Sequence, residues 1–310
     1  MGRLFGGKSC NNIVNKGELE MKTITVFTPT YNRAYILPKL YDSLREQTSN
    51  DFEWVIVDDG STDDTGTLVR KWIEEGQLEI HYYKQDNGGK QRAHNLGVKK
   101  SQGTLFVCVD SDDYVTPDFV KKHLKCLKTI EKEDDIAGII SLQAHEDGKP
   151  IGTYFPKGLS KTKLRNLYGK LKFKGDATLA YYTDILKKYP FLVAPGEKFI
   201  GEGYVYYQID QNYYMKVLPE ILLIKEYLND GYTKNVRKLT KDNPKSYAIL
   251  KRLSIIQADS WFEKYKQTIL YMVGCRMSGQ HMIKNAPNKV LALLAYVPSW
   301  LAWIIIYKRA

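Results

Sequence analysis

From residue 22 to about residue 130 the chain repeats one pattern: an apolar run of strand length, a charged or glycine-bearing loop, then a longer stretch whose apolar residues recur at helical spacing. The runs are TITVFT (23–28), WVIVD (54–58), EIHYYK (79–84) and TLFVCVD (104–110). Between the first two, Ile36, Leu37, Leu40 and Leu44 form one stripe; between the next two, Leu68, Val69 and Trp72 form another. Alternating strands and sheet-packing helices predict a mostly parallel, helix-covered sheet, an α/β fold. Ligands of such sheets bind beyond the carboxyl ends of the strands. There the sequence places TPTYNR, DDGSTDD, QDNGGKQR and DSDD.

The last of these loops demands the most. In LFVCVDSDDY an apolar strand runs into Asp110, Asp112 and Asp113, and such crowded carboxylates cost stability unless a cation or hydrogen-bond donors meet them. Hard oxygens at a strand end suit Mg²⁺ or Mn²⁺ bridging to a substrate diphosphate. A calcium EF-hand is excluded, because the glycine and glutamate of that loop are absent. Thr116, Pro117 and Asp118 read as the start of a helix. In VDDGSTDDT, Ser61 and Asp64 make a near capping box with Gly60 in the turn, leaving Asp58 and Asp59 to accept hydrogen bonds from a base or ribose. Gly88 and Gly89 open a helix whose amides and positive dipole end could face an anion, with Lys90 and Arg92 adding charge. A glycine pair before a helix is equally ordinary turn chemistry.

Lys and Arg number 46 against 35 Asp and Glu, and the resulting +11 favours an anionic partner: nucleic acid, a membrane surface or a phosphorylated substrate. No RNA-recognition signature or zinc finger supports nucleic acid. Cys10, Cys108, Cys126 and Cys275 are scattered without a C-x-x-C pair, which speaks against a zinc site or disulfide framework and fits a reducing cytosol. The histidines form no H-E-x-x-H pattern and no G-x-S-x-G elbow is present.

TPTYNR, VDDGSTDDT, NGGKQRAHNLG and SQGTLFVCVDSDDYVTPD, in this order and at these intervals, resemble the inverting family-2 glycosyltransferases of bacterial cell-surface polysaccharide synthesis. The resemblance covers about residues 22–130, continues more loosely to about residue 228, and implies the GT-A fold, a nucleotide-sugar-binding α/β domain. It implies that Pro29, Thr30 and Tyr31 pack on uracil, that Asp59 contacts the base, and that Asp112 and Asp113 hold ribose and metal, with Asp110 opening the D-x-D pattern. Arg33, Asp58, Gly89, Lys90, Asn95 and Ser111 complete the expected nucleotide-sugar-binding set. The implied cofactor is Mn²⁺ or Mg²⁺ and the implied donor a UDP-sugar. Inverting transfer also needs a base for the acceptor hydroxyl. Family members commonly carry a Glu-Asp pair whose Asp is that base; here FIGEGYV presents Glu202 followed by Gly203. Glu202 is the first candidate and Asp176 the second.

Residues 1–20 lack a secretory apolar core and read as a disordered extension. The expected organisation is then a GT-A domain over 21–230, with a nucleotide-binding half (21–130) and an acceptor half (131–230), followed by a helical extension over 231–310. Its tail, 290–309, is strongly apolar but, at ~1.5 Å per residue, slightly short for a ~30 Å hydrocarbon core, and Pro298 and Ser299 interrupt it. Tyr296, Trp300 and Trp303 favour a membrane interface and Lys308 and Arg309 suit lipid phosphates; the competing reading is a buried or homodimer-forming helix. Lys161, Lys163, Arg165, Lys170, Lys172 and Lys174 read either as a solvated face or as a receiver for anionic lipid or a polyprenyl-diphosphate-linked acceptor. The expectation is a cytoplasmic enzyme, peripheral on the inner face of the cell membrane, moving a sugar from UDP to a saccharide acceptor. Its rivals are a UDP-sugar-binding scaffold without activity and a phosphatase with Asp110 as nucleophile, although Tyr114 departs from the phosphatase pattern.

Overall fold

The structure is a computed structural model that describes residues 22–130, 135–226 and 232–308. The expected extension over 1–20 lies outside them, as do Arg309 and the expected domain boundary at 230. The four apolar runs become β1 (Ile24–Thr30), β2 (Phe52–Asp58), β3 (Ile80–Lys84) and β4 (Leu105–Cys108). The connecting helices are α1 (Leu37–Arg45), α2 (Thr65–Glu75) and α3 (Lys90–Lys100). β2 shows why the run folds this way: Trp54 and Ile56 pack into the core on one face, Val55 and Val57 into the core on the other, so a continuously apolar strand is buried on both sides. Full burial of side chains of this kind stabilises by about 1.5–3 kcal/mol each.

Beyond β4 the chain forms β5 (Asp113–Val115), α4 (Phe119–Leu127), β6 (Ile136–Ala144), β7 (Lys161–Thr162), β8 (Ala177–Tyr182), α5 (Thr183–Leu186), α6 (Gly203–Asn212) and β9 (Tyr214–Lys225). Among the described residues the nine strands form one sheet in the order β3-β2-β1-β4-β8-β6-β9-β5, with β7 on β9. The β1–β2, β1–β4 and β2–β3 pairings are parallel, and β8 joins β4 antiparallel, so both expected halves share a single sheet. Helices α1, α2 and α4 cover one face; α3, α5 and α6 cover the other.

Two expected helix starts move. Ser61 does not cap α2: its hydroxyl accepts from Asn32 N at 2.9 Å, because it is spent tying the β1 and β2 loops together, and Asp64 occupies the cap position without a side-chain bond. α4 begins at Phe119 rather than around Pro117, since Thr116 first closes a turn with its carbonyl to Phe119 N, and its N–H bonds Leu222 O.

The C-terminal region is helical, as expected: α7 (Tyr232–Asp242), α8 (Pro244–Gln257), α9 (Trp261–Met277), α10 (Lys289–Leu294) and α11 (Tyr296–Trp303), then a π-helical turn, Ile304–Lys308. Ala248, Ile255, Tyr271, Met272, Cys275, Ala292 and Ala295 form its own core. Ser260 caps α9 by accepting from Glu263 N at 3.1 Å.

Candidate active site

The strand order turns back at β1: β2 and β3 lie on one side of it and β4 on the other, so a crevice opens where the carboxyl ends of β1 and β4 diverge. The β1–β4 ladder ends at Phe27 and Cys108, which leaves Pro29 outside it, where a missing N–H costs nothing. A cleft of about 960 Å³ starts there. Pro29 and Thr30 line it from the end of β1, and Tyr31 and Arg33 from the loop that follows; Asp59 and Gly89 from the next loops and Lys90 from the start of α3; Asp110, Ser111 and Asp112 from the loop after β4 and Asp113 from the start of β5; Asp176 and Glu202 from the opposite wall. All but two of the sequence-predicted site residues thus line one place.

Asp58 and Asn95 do not reach it. Successive strand residues point to opposite faces, and Asp58 turns away from Asp59 to accept from Ser61 N at 2.6 Å and from the Tyr82 hydroxyl at 2.5 Å. Asn95 grips the backbone of Phe191 through both amide atoms, at 2.8 Å each. Both residues hold loops in place.

Asp59 lines the cleft with its carboxylate already engaged: Oδ1 accepts from Gln85 Nε2 at 2.7 Å and Gly88 N at 2.8 Å, and Oδ2 from Gly89 N at 2.7 Å. The amides of Gly88 and Gly89, expected to face a ligand anion, therefore face this carboxylate. Gly89 has φ +94°, and a Cβ there would lie 1.8 Å from the carbonyl oxygen of Lys198, so only glycine lets the loop before α3 touch the loop that leads to Glu202.

Charge is organised around Lys90. Its Nζ lies 2.8 Å from Asp110 Oδ1 and 3.1 Å from Glu202 Oε1. Burial opposes the ammonium, but the two carboxylates overcome that cost and hold Lys90 well above its ordinary range. Burial likewise raises Asp110, and Lys90 more than reverses it, leaving Asp110 below the usual carboxylate range. Asp112 is raised by burial and by Asp110. Asp113, 4% exposed, is pushed up to about 8 by burial and by Asp110 and Asp112, with Lys225 opposing.

Asp113 Oδ1 is buried without a hydrogen-bond partner, and Asp112 borders the same cleft. This pair fits a divalent cation, which would displace the proton that burial and repulsion favour on Asp113, satisfy the orphaned oxygen and offset the mutual repulsion. Asp110, Asp112 and Asp113 do not by themselves bring three ligand atoms within 4.8 Å; among the described residues Glu53, Glu79 and His81 do, at the amino ends of β2 and β3, away from the cleft. An ion held by Asp112 and Asp113 would therefore complete its coordination from substrate oxygens and water.

Gly203 opens α6, and a Cβ on it would meet the Tyr207 ring at 2.8 Å. Tyr207 thus fills the space that an aspartate after Glu202 would need. Asp176 is ion-paired with Lys225 at 2.8 Å. The sequence reading missed Asn32, Lys198, Tyr168 and Lys225, and the wall made by Val236, Leu239 and Asn243 from the C-terminal helices. Asn32 carried a signal: its φ of 53° suits Asn, and its Oδ1 accepts from Thr62 N at 2.8 Å. The others lie outside any motif.

Half of the basic run is tied into the fold, while Lys170, Lys172 and Lys174 are exposed. Lys161 pairs with Asp135 at 3.0 Å, Lys163 donates to Gln211 O at 2.8 Å, and Arg165 donates to Gln257 at its carbonyl and side-chain oxygens.

The loop from Ala194 to Phe199, just before Glu202, is stapled on two sides. Arg92 donates to the carbonyls of Ala194 and Glu197, while the Glu197 carboxylate accepts from Lys245 N and Ser246 N at the start of α8, at 2.8 and 2.7 Å. Asn243 Oδ1 accepts from Lys198 N and Phe199 N.

Comparison with known proteins agrees with this architecture. GlyA, a glycosyltransferase of Streptococcus pneumoniae serotype 4, is 39% identical over 114 residues, 37% of this chain and 16% of that protein. TarS of Staphylococcus aureus, a poly(ribitol-phosphate) beta-N-acetylglucosaminyltransferase, is 34% identical over 103 residues, 33% of this chain and 18% of that protein. The alignments thus span less than a fifth of either relative. The crystal structure of TarS 1–349 in complex with UDP-GlcNAc superposes with a TM-score of 0.58 at 19% identity, covering 91% of this chain and 79% of that one. The mannosyltransferase PcManGT of Pyrobaculum calidifontis, in complex with GDP-Man and Mn²⁺, gives 0.52 at 17% identity, covering 90% and 80%. These likenesses establish the GT-A fold. The family model "Glycosyl transferase family 2" matches residues 25–190, more than half of the chain, which sets the phosphatase reading aside. With the cleft, the aspartates of β4 and this match together, the chain belongs to glycosyl transferase family 2.

Proposed function

We propose that the protein transfers a sugar from a UDP-sugar to a saccharide acceptor with inversion at the anomeric carbon. The acceptor is polyprenyl-diphosphate-linked, and the reaction belongs to cell-surface polysaccharide synthesis on the cytoplasmic face of the membrane. The observation that carries the reading is the convergence of Asp110, Asp112 and Asp113 with Lys90 and Glu202 at the mouth of the β1–β4 crevice. Pro29, Thr30 and Tyr31 form the wall against which the uracil packs, and Asp59 fixes that wall to the loop before α3.

Asp112 and Asp113 would hold Mn²⁺ or Mg²⁺, which when bound neutralises the diphosphate leaving group. Glu202, half exposed to the cleft, takes the proton from the acceptor hydroxyl as its oxygen attacks the anomeric carbon. Lys90 aims that carboxylate by bridging it to Asp110. Asp176, tied to Lys225, is the second candidate for the base.

The test is calorimetric titration with UDP, GDP, CMP and ADP, with and without Mn²⁺, followed by a donor-sugar screen on wild type, Glu202→Gln and Asp176→Asn. Metal-dependent preference for UDP, with transfer lost in Glu202→Gln and UDP affinity kept, is expected. UDP binding without transfer by the wild type would favour the scaffold reading that Gly203 suggests. Preference for another nucleotide would overturn the assignment of the donor.

A further inference from the structure

Residues 232–310 carry 14 Lys and Arg against three Asp and Glu. That excess of eleven equals the net charge of the whole chain, so residues 1–231 are neutral in balance and the C-terminal helices hold the entire cationic surplus. Among the described residues, the same helices display the largest concentration of exposed apolar side chains. Val290, Leu293, Leu294, Val297, Leu301 and Ile305 recur every three or four residues through α10, α11 and the final turn, and all are exposed, Val290 at 66% and Ile305 at 67%. The opposite face of this segment, Leu291, Ala292, Ala295 and Ser299, is buried. A helix apolar on both faces has one apolar face too many for water.

A second element extends the face. At the start of α9, Trp261 and Phe262 are 62% and 70% exposed. Trp261 stacks on Tyr265 at 5.3 Å between ring centroids, and the Tyr265 hydroxyl donates to Leu294 O at 3.3 Å, which places this aromatic turn beside the junction of α10 and α11. Lys264 and Lys266 follow it on α9, and Lys289 begins α10. Among the described residues no helix is long and apolar enough to cross a membrane.

We infer that α9's first turn together with the outer face of α10 and α11 is one docking surface for an anionic lipid bilayer, with the apolar stripe and Trp261 and Phe262 entering the interface and the cationic surplus meeting lipid phosphates. The charge argues for lipid over a second copy of the chain, because two such faces brought together would repel. This deepens the proposal of a transferase working on a lipid-linked acceptor and rests on it for the side of the membrane. α8, whose first turn is stapled to the loop before Glu202, packs on α9, so docking would bring the cleft to the bilayer surface.

The experiment is co-sedimentation of the full chain with vesicles of phosphatidylcholine alone or mixed with phosphatidylglycerol, without nucleotide or acceptor, so that its outcome is independent of any transfer activity. Wild type, Trp261→Ser/Phe262→Ser and Val297→Ser/Leu301→Ser are compared, with circular dichroism and UDP affinity as controls on folding. Binding to the phosphatidylglycerol vesicles at least about tenfold tighter than to phosphatidylcholine is expected, with a blue shift of tryptophan emission and about tenfold weaker binding in each double variant. Equal partition of wild type and variants, indifference to phosphatidylglycerol, or no sedimentation at all would overturn the inference. So would a stable dimer by light scattering that the double variants dissociate while vesicles leave it intact.

Discussion

Lys90 Nζ lies 2.8 Å from Asp110 Oδ1, an ion pair in which the lysine side chain is only 16% exposed and which sits where α3 meets the end of β4. Because the same ammonium reaches Glu202, Lys90→Met leaves two carboxylates facing each other across the cleft. Transfer is expected to fall by about a hundredfold and stability by on the order of 2 kcal/mol. Steady-state kinetics and urea unfolding read the two losses separately; Lys90→Arg, which keeps the charge, should retain more of both.

Asp113→Asn tests the cation site. The orphaned Oδ1 has no protein hydrogen bond to lose, so the fold is expected to survive while the Mn²⁺-dependent part of UDP affinity drops by at least about tenfold. Equal affinity in wild type and variant, measured by calorimetry, would remove Asp113 from the site.

Gly89→Ala should damage both stability and activity. The positive φ and the 1.8 Å approach of Lys198 O leave no room for a methyl group, so the loop before Glu202 must move. A loss of roughly 2–4 kcal/mol is expected. Gly196→Ala is a useful contrast: it also has positive φ, but open space where Cβ would go, and should cost about 1 kcal/mol.

His94 and His123 set an acid limit on stability. Burial lowers His94 to about 3, with Lys90 assisting, and burial lowers His123 to about 4. The unfolded chain titrates these groups near 6.5. Below that pH the unfolded state binds more protons, so stability is complete above about 6.5 and falls as the pH drops towards the folded-state values, by up to about 1.4 kcal/mol per pH unit for each histidine. Urea midpoints taken from pH 7 to pH 4.5 should decline, and His94→Gln should flatten the decline.

What could be read in the sequence was whatever the local pattern dictates. The runs ending at Asp58 and Asp110 became strands because their residues are apolar on both faces, and the loops after them had to meet at the strand ends. Asp58 and Asp59 looked equivalent as letters; the pleat separates them, and only Asp59 faces the cleft. Asn95 carries no mark of its distant partner Phe191. Ser61 had a cap's spacing but met Asn32, a partner 29 positions away, first. Lys225 and the Val236–Leu239 wall depend on where β9 enters the sheet and where α7 borders the cleft, a tertiary arrangement that no short window encodes.

The staple between Glu197 and the first turn of α8 lies beyond residue 190, where the match to the family model ends. Glu202, Lys225 and the helical wall of the cleft lie there too. The cleft therefore has a nucleotide end inside the stretch that the family model matches and a rim outside it, carried by α7 and the turn into α8. Substitution in those helices can reshape what enters the cleft while the strand-end aspartates remain as they were.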